Sequence, residues 1–208
     1  MVQTFSATLR YNRSVFPFRA SDYGSPIAEI LALAGDGHRL MPLVGGPCAS
    51  EKARDMLGRL DAAELFGGKR VVSKEFAEAA RSGLFLYLSC LDEAHSIAQE
   101  IHTTTGSYWH GIMHRQEPDF SNAAYWFRRV GQHEIFPALR EAAIEIAGDG
   151  VPELTKKPTW DPFRFIDACE EVHRRSNAGV EEVLREIQRA EWQLLFDCCW
   201  RRAVGKEA

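Results

Sequence analysis

The chain has 208 residues, of which 45% are hydrophobic and 26% are charged. This balance is typical of a globular protein and excludes a disordered or fibrous chain. The chain has 25 lysines and arginines and 29 acidic residues, so its formal net charge is −4. It therefore lacks the broad positive charge that binding to a phosphate backbone requires. We expect a single domain over residues 1–208 and no nucleic-acid partner.

The N-terminal segment and the cysteines predict the compartment. Residues 1–11 do not combine a basic segment with the apolar segment of an export signal, and no run approaches the roughly 18 apolar residues of a membrane helix. The five cysteines are odd in number and form no Cys-x-x-Cys pair, so they are predicted to be reduced core residues. An alternative makes Cys90 a nucleophile served by His95, although a five-residue spacing is not a helical contact. We expect a cytoplasmic protein with no membrane partner.

Helix signals dominate the chain after an irregular N-terminal quarter. Alternating apolar residues at 5–11 predict a short strand, and Ser25 followed by Pro26 predicts a helix that Gly35 ends. One helical pattern covers 51–66. A second begins after Ser73 and continues to about 103, with Gly83 as a break within it.

The second half of the chain repeats these start and stop signals. Helices are predicted at 107–117 and 121–130, with Asp119 or Ser121 as the cap of the second, and at 136–147. A surface loop at 148–159 follows, then a helix starting at Asp161 and a last helix after Asn177 or Gly179. The predicted fold is all-α, a single mostly helical domain of about seven or eight helices with an irregular N-terminal quarter.

Histidines are concentrated in the middle of the chain. Five of the seven lie between residues 95 and 133, where even spacing would place roughly one. Helical phase puts several of them on polar stripes at the border between core and solvent. A turn at Gly106 would bring two such stripes together, placing His102 near His110 and His95 near Glu117. We call the resulting set the polar seam: His95, Gln99, His102, His110, His114 and Glu117.

Such a seam can bind a divalent metal or hold a histidine as a general base. The predicted catalytic residues are His95, His110, His114 and Glu117, with the three histidines also as metal ligands. The spacing of His110 and His114 is that of zinc peptidases, but Gly111 stands where those enzymes have a catalytic glutamate. The alternative for each histidine is a structural or solvated side chain. Carboxylates favour charged histidines and burial opposes them, so the seam is expected to titrate near neutrality.

Aromatic and polar residues around the histidines predict a small-molecule pocket. Arg128 and Arg129 oppose the dipole at a helix C-terminus, yet with Arg115 they would form a local anion pocket. The residues predicted to bind the ligand are Trp109, Arg115, Asn122, Trp126 and Arg129.

The segment GSYWHGIMHRQEPDFSNAAYWFRRVGQHEIF, residues 106–136, resembles a family of uncharacterised bacterial and fungal proteins. In that family Tyr-Trp-His, His-Arg, a carboxylate before Pro-Asp, and Asn-Ala-x-Tyr-Trp-Phe stand in this order. The resemblance extends weakly to residues 91–99 and implies no particular activity. Gln116 stands where a basic residue is expected, which counts against an anion site at that turn.

Two kinds of function agree with these patterns. One is a small-molecule enzyme, such as a hydrolase, that uses the polar seam for metal or acid/base catalysis. The other is a non-catalytic ligand-binding or protein-interaction module, in which Tyr125 and Trp126 would form a flat exposed patch or a subunit interface. Either kind of protein is compatible with an oligomer.

Overall fold

The computed structural model describes residues 16–148 and 150–206, and every regular element in these ranges is a helix. The all-helical fold class is therefore confirmed for the described residues. They contain eleven α-helices, more than the seven or eight predicted. The strand predicted at residues 5–11 lies outside the described residues.

A short 3-10 helix, Ala20–Tyr23, precedes the first α-helix. In chain order the α-helices are α1 Ser25–Ala32, α2 Glu51–Arg59, α3 Ala62–Leu65, α4 Lys74–Tyr87, α5 Leu91–Ala98, α6 Thr104–Gln116, α7 Phe120–Val130, α8 Phe136–Ala147, α9 Pro152–Thr155, α10 Pro162–Arg175 and α11 Ala178–Ala203.

The additional helices arise where a predicted long helix is divided. Asp61 caps α3 in a capping box with Glu64, and this divides the predicted helix at 51–66 into α2 and α3. The predicted helix after Ser73 is interrupted at Ser89, whose φ is +61°, so it becomes α4 and α5. The four-residue helix α9 lies within the predicted surface loop at 148–159.

Most predicted start signals are confirmed, but Gly24 and not Ser25 is the N-cap of α1, and α6 begins at Thr104 and not at residue 107. Ser73 accepts a hydrogen bond from the backbone N–H of Phe76 at the start of α4. Asp119, and not Ser121, caps α7, and Asn177, and not Gly179, caps α11. The bounds of α8 are those predicted. These signals depend on side chains within one turn of the helix end, which the sequence contains directly.

Helix α6 lies at the centre of the fold. It packs against α4, α5 and α7, and the long helix α11 packs against α4 and α8. Every residue from 105 to 116 is buried, so α6 has no solvent face. Polar side chains on this helix must therefore find partners inside the protein. Within the described ranges, no helix combines the length and apolar character needed to span a membrane.

Gly83 lies inside α4 and does not break it, contrary to the prediction. A Cβ atom at this position would lie 2.6 Å from a ring carbon of Trp109, and Trp192 Nε1 donates to the Gly83 carbonyl oxygen at 2.7 Å. The missing side chain therefore lets α4 and α6 approach each other around the Trp109 ring.

We expect Gly83→Ala to lower the free energy of unfolding by about 1–3 kcal/mol, because the added methyl group overpacks the contact with Trp109. Gly58→Ala in α2 is the matched control, since a Cβ there meets nothing within 4 Å. That variant should gain about 0.5–1 kcal/mol from helix propensity. Urea unfolding followed by circular dichroism measures both changes. Equal stabilisation by the two substitutions would contradict the packing role of Gly83.

Candidate metal centre

Three histidines meet where α5 packs against α6. One ring nitrogen of each of His95, His110 and His114 lies within 4.8 Å of the others. The ring of His95 is centred 4.7 Å from that of His110 and 5.7 Å from that of His114. His110 and His114 are one helical turn apart, with ring centroids 5.1 Å apart. We call these three residues the histidine cluster.

Helices α5 and α6 pack in a register different from the one predicted for the polar seam. Helix α5 ends at Ala98 and α6 begins at Thr104, so Gly106 lies inside α6 and not at the turn. His95, and not His102, therefore faces His110, while His102 and Gln99 are exposed. A Cβ on Gly106 would lie 2.2 Å from the Ile101 carbonyl oxygen, so the glycine lets the connection fold tightly onto α6.

Glu117 and Asn122 contact His114. The Nδ1 atom of His114 lies 2.9 Å from Glu117 Oε2, so the carboxylate favours the tautomer with the proton on Nδ1. Asn122 Nδ2 lies 3.1 Å from His114 Nε2 and 3.4 Å from His114 Nδ1. Asn122 reaches this position because Asp119 caps α7 one turn before it. Glu117 and Asn122 thus both restrain the orientation of the His114 ring.

Trp126 of α7 fixes the ring of His110. The two rings stack with centroids 3.9 Å apart and an interplanar angle of 8°. The guanidinium carbon of Arg129 lies 5.4 Å from the centroid of the Trp126 ring. His110 Nδ1 is buried, and among the described residues no group hydrogen-bonds to it. A buried nitrogen without a partner is costly in a folded protein, and such atoms are candidates for binding a ligand.

Burial favours the neutral form of two of the cluster histidines, His110 and His114. Burial, reinforced by His114 and His95, lowers the pKa of His110 from 6.5 to about 4. Burial also lowers the pKa of His114, although Glu117 opposes this shift. The expectation that the whole seam titrates near neutrality is therefore wrong for His110, because desolvation of the charged ring dominates. Neutral imidazole is the form that binds metal ions.

Two of the predicted ligand-binding residues lie away from the histidine cluster. Trp109 is fully buried against Gly83, and Arg115 is fully buried in an ion pair with Glu191. Each follows or precedes a cluster histidine by one position in α6, and one residue turns a helix by about 100°. The side chains of Trp109 and Arg115 therefore point into the core. Asn122, Trp126 and Arg129 do lie beside the cluster.

His133 also lies apart from the cluster. Its Nε2 is 3.2 Å from Thr105 Oγ1, and its ring packs edge-on against Tyr108 with centroids 5.1 Å apart. Tyr125 is 48% exposed, whereas Trp126 is only partly exposed because it covers His110. The pair therefore does not form the flat aromatic patch expected of an interaction surface.

The prediction of reduced core cysteines is confirmed for four of the five and holds in part for Cys48. All five are free thiols, but Cys48 is only partly buried, whereas the other four are buried. The Sγ atom of Cys48 lies 3.1 Å from that of Cys90. No local signal predicts this contact, because the two residues are 42 positions apart and belong to different segments.

No family model matches the chain, and neither does any curated protein or solved structure. The resemblance of residues 106–136 to a family of bacterial and fungal proteins stays a prediction. The geometry of the histidine cluster is thus the basis for inferring what the protein does.

The histidine cluster has the donor set of a three-coordinate metal site. Zinc binds imidazole nitrogen at about 2.0–2.1 Å, which sets the nitrogens of a tetrahedral site about 3.4 Å apart. The cluster nitrogens all lie within 4.8 Å of one another, so a bound zinc would have to draw them closer together. Three imidazoles suit zinc, copper, iron and nickel better than magnesium or calcium, which prefer oxygen ligands.

Proposed function

We propose that the protein is a metal-dependent enzyme acting on a small molecule, and that His95, His110 and His114 bind a divalent transition metal. The observation that carries the proposal is the convergence of one nitrogen from each ring within 4.8 Å. Three protein ligands leave a coordination position for water or substrate, which is the arrangement of catalytic zinc sites. Hydrolysis is the reaction that this arrangement favours most, because a bound divalent metal makes water nucleophilic near neutral pH.

The surrounding residues support this role in different ways. Glu117 orients His114 through Nδ1 and leaves Nε2 available, as carboxylates do beside metal-binding histidines. Trp126 holds the plane of the His110 ring, so that this ligand is positioned before the metal binds. If His114 Nε2 held a metal, the Asn122 amide, 3.1 Å from that nitrogen, would be placed to hydrogen-bond the bound molecule.

We expect the chelator-treated protein to bind one equivalent of Zn²⁺, and His114→Ala to lose this binding. Isothermal titration calorimetry at pH 7.5 measures affinity and stoichiometry. His102→Ala is the matched control, because His102 is exposed and lies outside the cluster. Glu117→Gln should weaken binding by about 10–100-fold, since it removes the carboxylate that orients His114. Circular dichroism melting of each variant shows whether it is folded.

Equal Zn²⁺ affinity in the wild type, His114→Ala and His102→Ala proteins would refute the metal site. Catalysis is tested separately, with p-nitrophenyl acetate as a probe of metal-activated water. The Zn²⁺-loaded protein should hydrolyse the probe faster than both the chelated protein and Zn²⁺-treated His114→Ala. Equal rates for all three would refute the hydrolytic function while leaving the binding result unaffected.

A further inference from the structure

Two thiols meet at the N-terminus of α5. Cys48 lies in the segment before α2, and Cys90 is the N-cap residue of α5. Their Sγ atoms are 3.1 Å apart and share a hydrogen bond. A disulfide needs a separation of about 2.05 Å, so the sulfurs must approach by about 1 Å. Side-chain rotation supplies a movement of this size.

The backbone on both sides of the pair is hydrogen-bonded. The N–H of Ala49, next to Cys48, donates to the Leu88 carbonyl oxygen at 2.7 Å. The N–H of Cys90 donates to the Phe85 carbonyl oxygen at 2.9 Å. The segment with Cys48 is also bound to the end of α6, where the Gly45 N–H donates to the Gln116 carbonyl oxygen at 2.6 Å. The two thiols are therefore held together by the fold.

A small reagent can reach this pair. Both cysteines line an open cleft of about 530 Å³, whose wall also contains Gly45, Gly46 and Asp92. Cys48 is only partly buried, whereas Cys90 is 5% exposed. Of the two residues, Cys48 is therefore the more accessible to a reagent that enters the cleft.

The surroundings of the two thiols distinguish their roles. Burial raises the pKa of the Cys90 thiol, and the hydrogen bond with Cys48 raises it further, while Arg54 partly opposes the shift. Cys90 therefore stays protonated until a reaction begins at its neighbour. In redox-sensing proteins an accessible cysteine reacts first and a neighbouring resolving cysteine then forms the disulfide with it, and Cys48 and Cys90 match these two roles.

We propose that Cys48 and Cys90 form a redox-active dithiol, a modification site that a peroxide oxidises to a disulfide. Hydrogen peroxide converts the Cys48 thiol to a sulfenic acid and releases one water. The Cys90 sulfur then attacks the Cys48 sulfur, the S–S bond forms and a second water leaves. Two electrons pass from the two sulfurs to the peroxide, and both thiol protons leave in the water. Neither sulfur belongs to the histidine cluster, so this inference stands apart from the proposed function.

The test treats the reduced, full-length protein with one equivalent of hydrogen peroxide after removal of the reductant. We expect the intact mass to fall by that of two hydrogen atoms, and the thiols titrated in denaturant to fall from five to three. Proteolysis without reductant should yield one linked peptide pair containing Cys48 and Cys90. Dithiothreitol should restore all five thiols.

Two variants separate this pair from the other cysteines. Cys48→Ser and Cys90→Ser should each form no intramolecular disulfide under the same treatment. Cys90→Ser should instead stop at the sulfenic acid of Cys48, which dimedone labels. Because the disulfide closes a loop of the unfolded chain, oxidation should raise the Tm of the wild type and not that of Cys48→Ser. Retention of five thiols by the folded wild type after oxidation, or an equal yield of disulfide in Cys48→Ser, would overturn the proposal.

Discussion

Glu191→Gln is expected to lower the free energy of unfolding by about 3–5 kcal/mol, because it leaves the charge of Arg115 unpaired in the core. Both side chains are fully buried, and Arg115 Nη2 lies 2.5 Å from Glu191 Oε2. Arg115 also donates to Gln188 Oε1 at 3.3 Å, and Tyr108 donates to Glu191 Oε1 at 3.0 Å. Removal of the carboxylate charge thus affects a network that joins α6 to α11.

Arg115 stays charged in this environment. Burial alone would lower the pKa of Arg115, but the Glu191 carboxylate holds it above its ordinary value. The guanidinium carbon lies 4.4 Å from the centroid of the Phe165 ring, whose face attracts the cation. The variant therefore keeps a buried cation that has lost its counter-ion.

Urea unfolding at pH 7.5 measures the effect, with Glu171→Gln as the matched control. Glu171 pairs with Arg175 at 3.1 Å, but their side chains are 65% and 79% exposed. An exposed pair of this kind contributes roughly 0–1 kcal/mol. Similar losses in the two variants would mean that the Arg115–Glu191 pair contributes no more than a surface pair.

Stability is expected to fall as the pH is lowered from 7 to 4, because two buried histidines resist protonation in the folded state. Burial lowers the pKa of both His110 and His133 from 6.5 to about 4. Between these values the unfolded chain binds more protons than the folded protein, so acid favours unfolding. Their contribution to the free energy of unfolding is fully present above pH 6.5 and is lost as the pH falls toward 4. It is on the order of 1–3 kcal/mol for each histidine.

Urea unfolding at several pH values between 7.5 and 4.5 tests this expectation with the variant His133→Gln. In His133→Gln the free energy of unfolding should change less steeply with pH than in the wild type. The difference between the two slopes is at most about 1.4 kcal/mol per pH unit, which is the contribution of one proton. His102→Gln, at an exposed position, should keep the slope of the wild type. Identical slopes for His133→Gln and the wild type would show that folding does not lower the pKa of His133.

The all-helical class and most helix starts could be predicted from the sequence, because they depend on neighbouring residues. Ser73, Asp119, Asp161 and Asn177 each accept a hydrogen bond from a backbone N–H two or three positions later. The candidate site was predicted in part for a similar reason. His110 and His114 share one face of α6 through their four-residue spacing, and the connection from α5 is short enough to bring His95 beside them.

Tertiary packing decided the rest, because it depends on residues that are distant in the sequence. The register of α5 against α6 placed His95, and not His102, at the cluster. Helix α6 is enclosed on every side, so no amphipathic pattern showed that Arg115 faces α11, whose Glu191 is 76 positions away. The contact between Cys48 and Cys90 likewise exists only because the segment before α2 is hydrogen-bonded to the end of α4. Local hydrogen bonds and helical phase determine the elements of this protein, and burial of their faces determines which side chains meet.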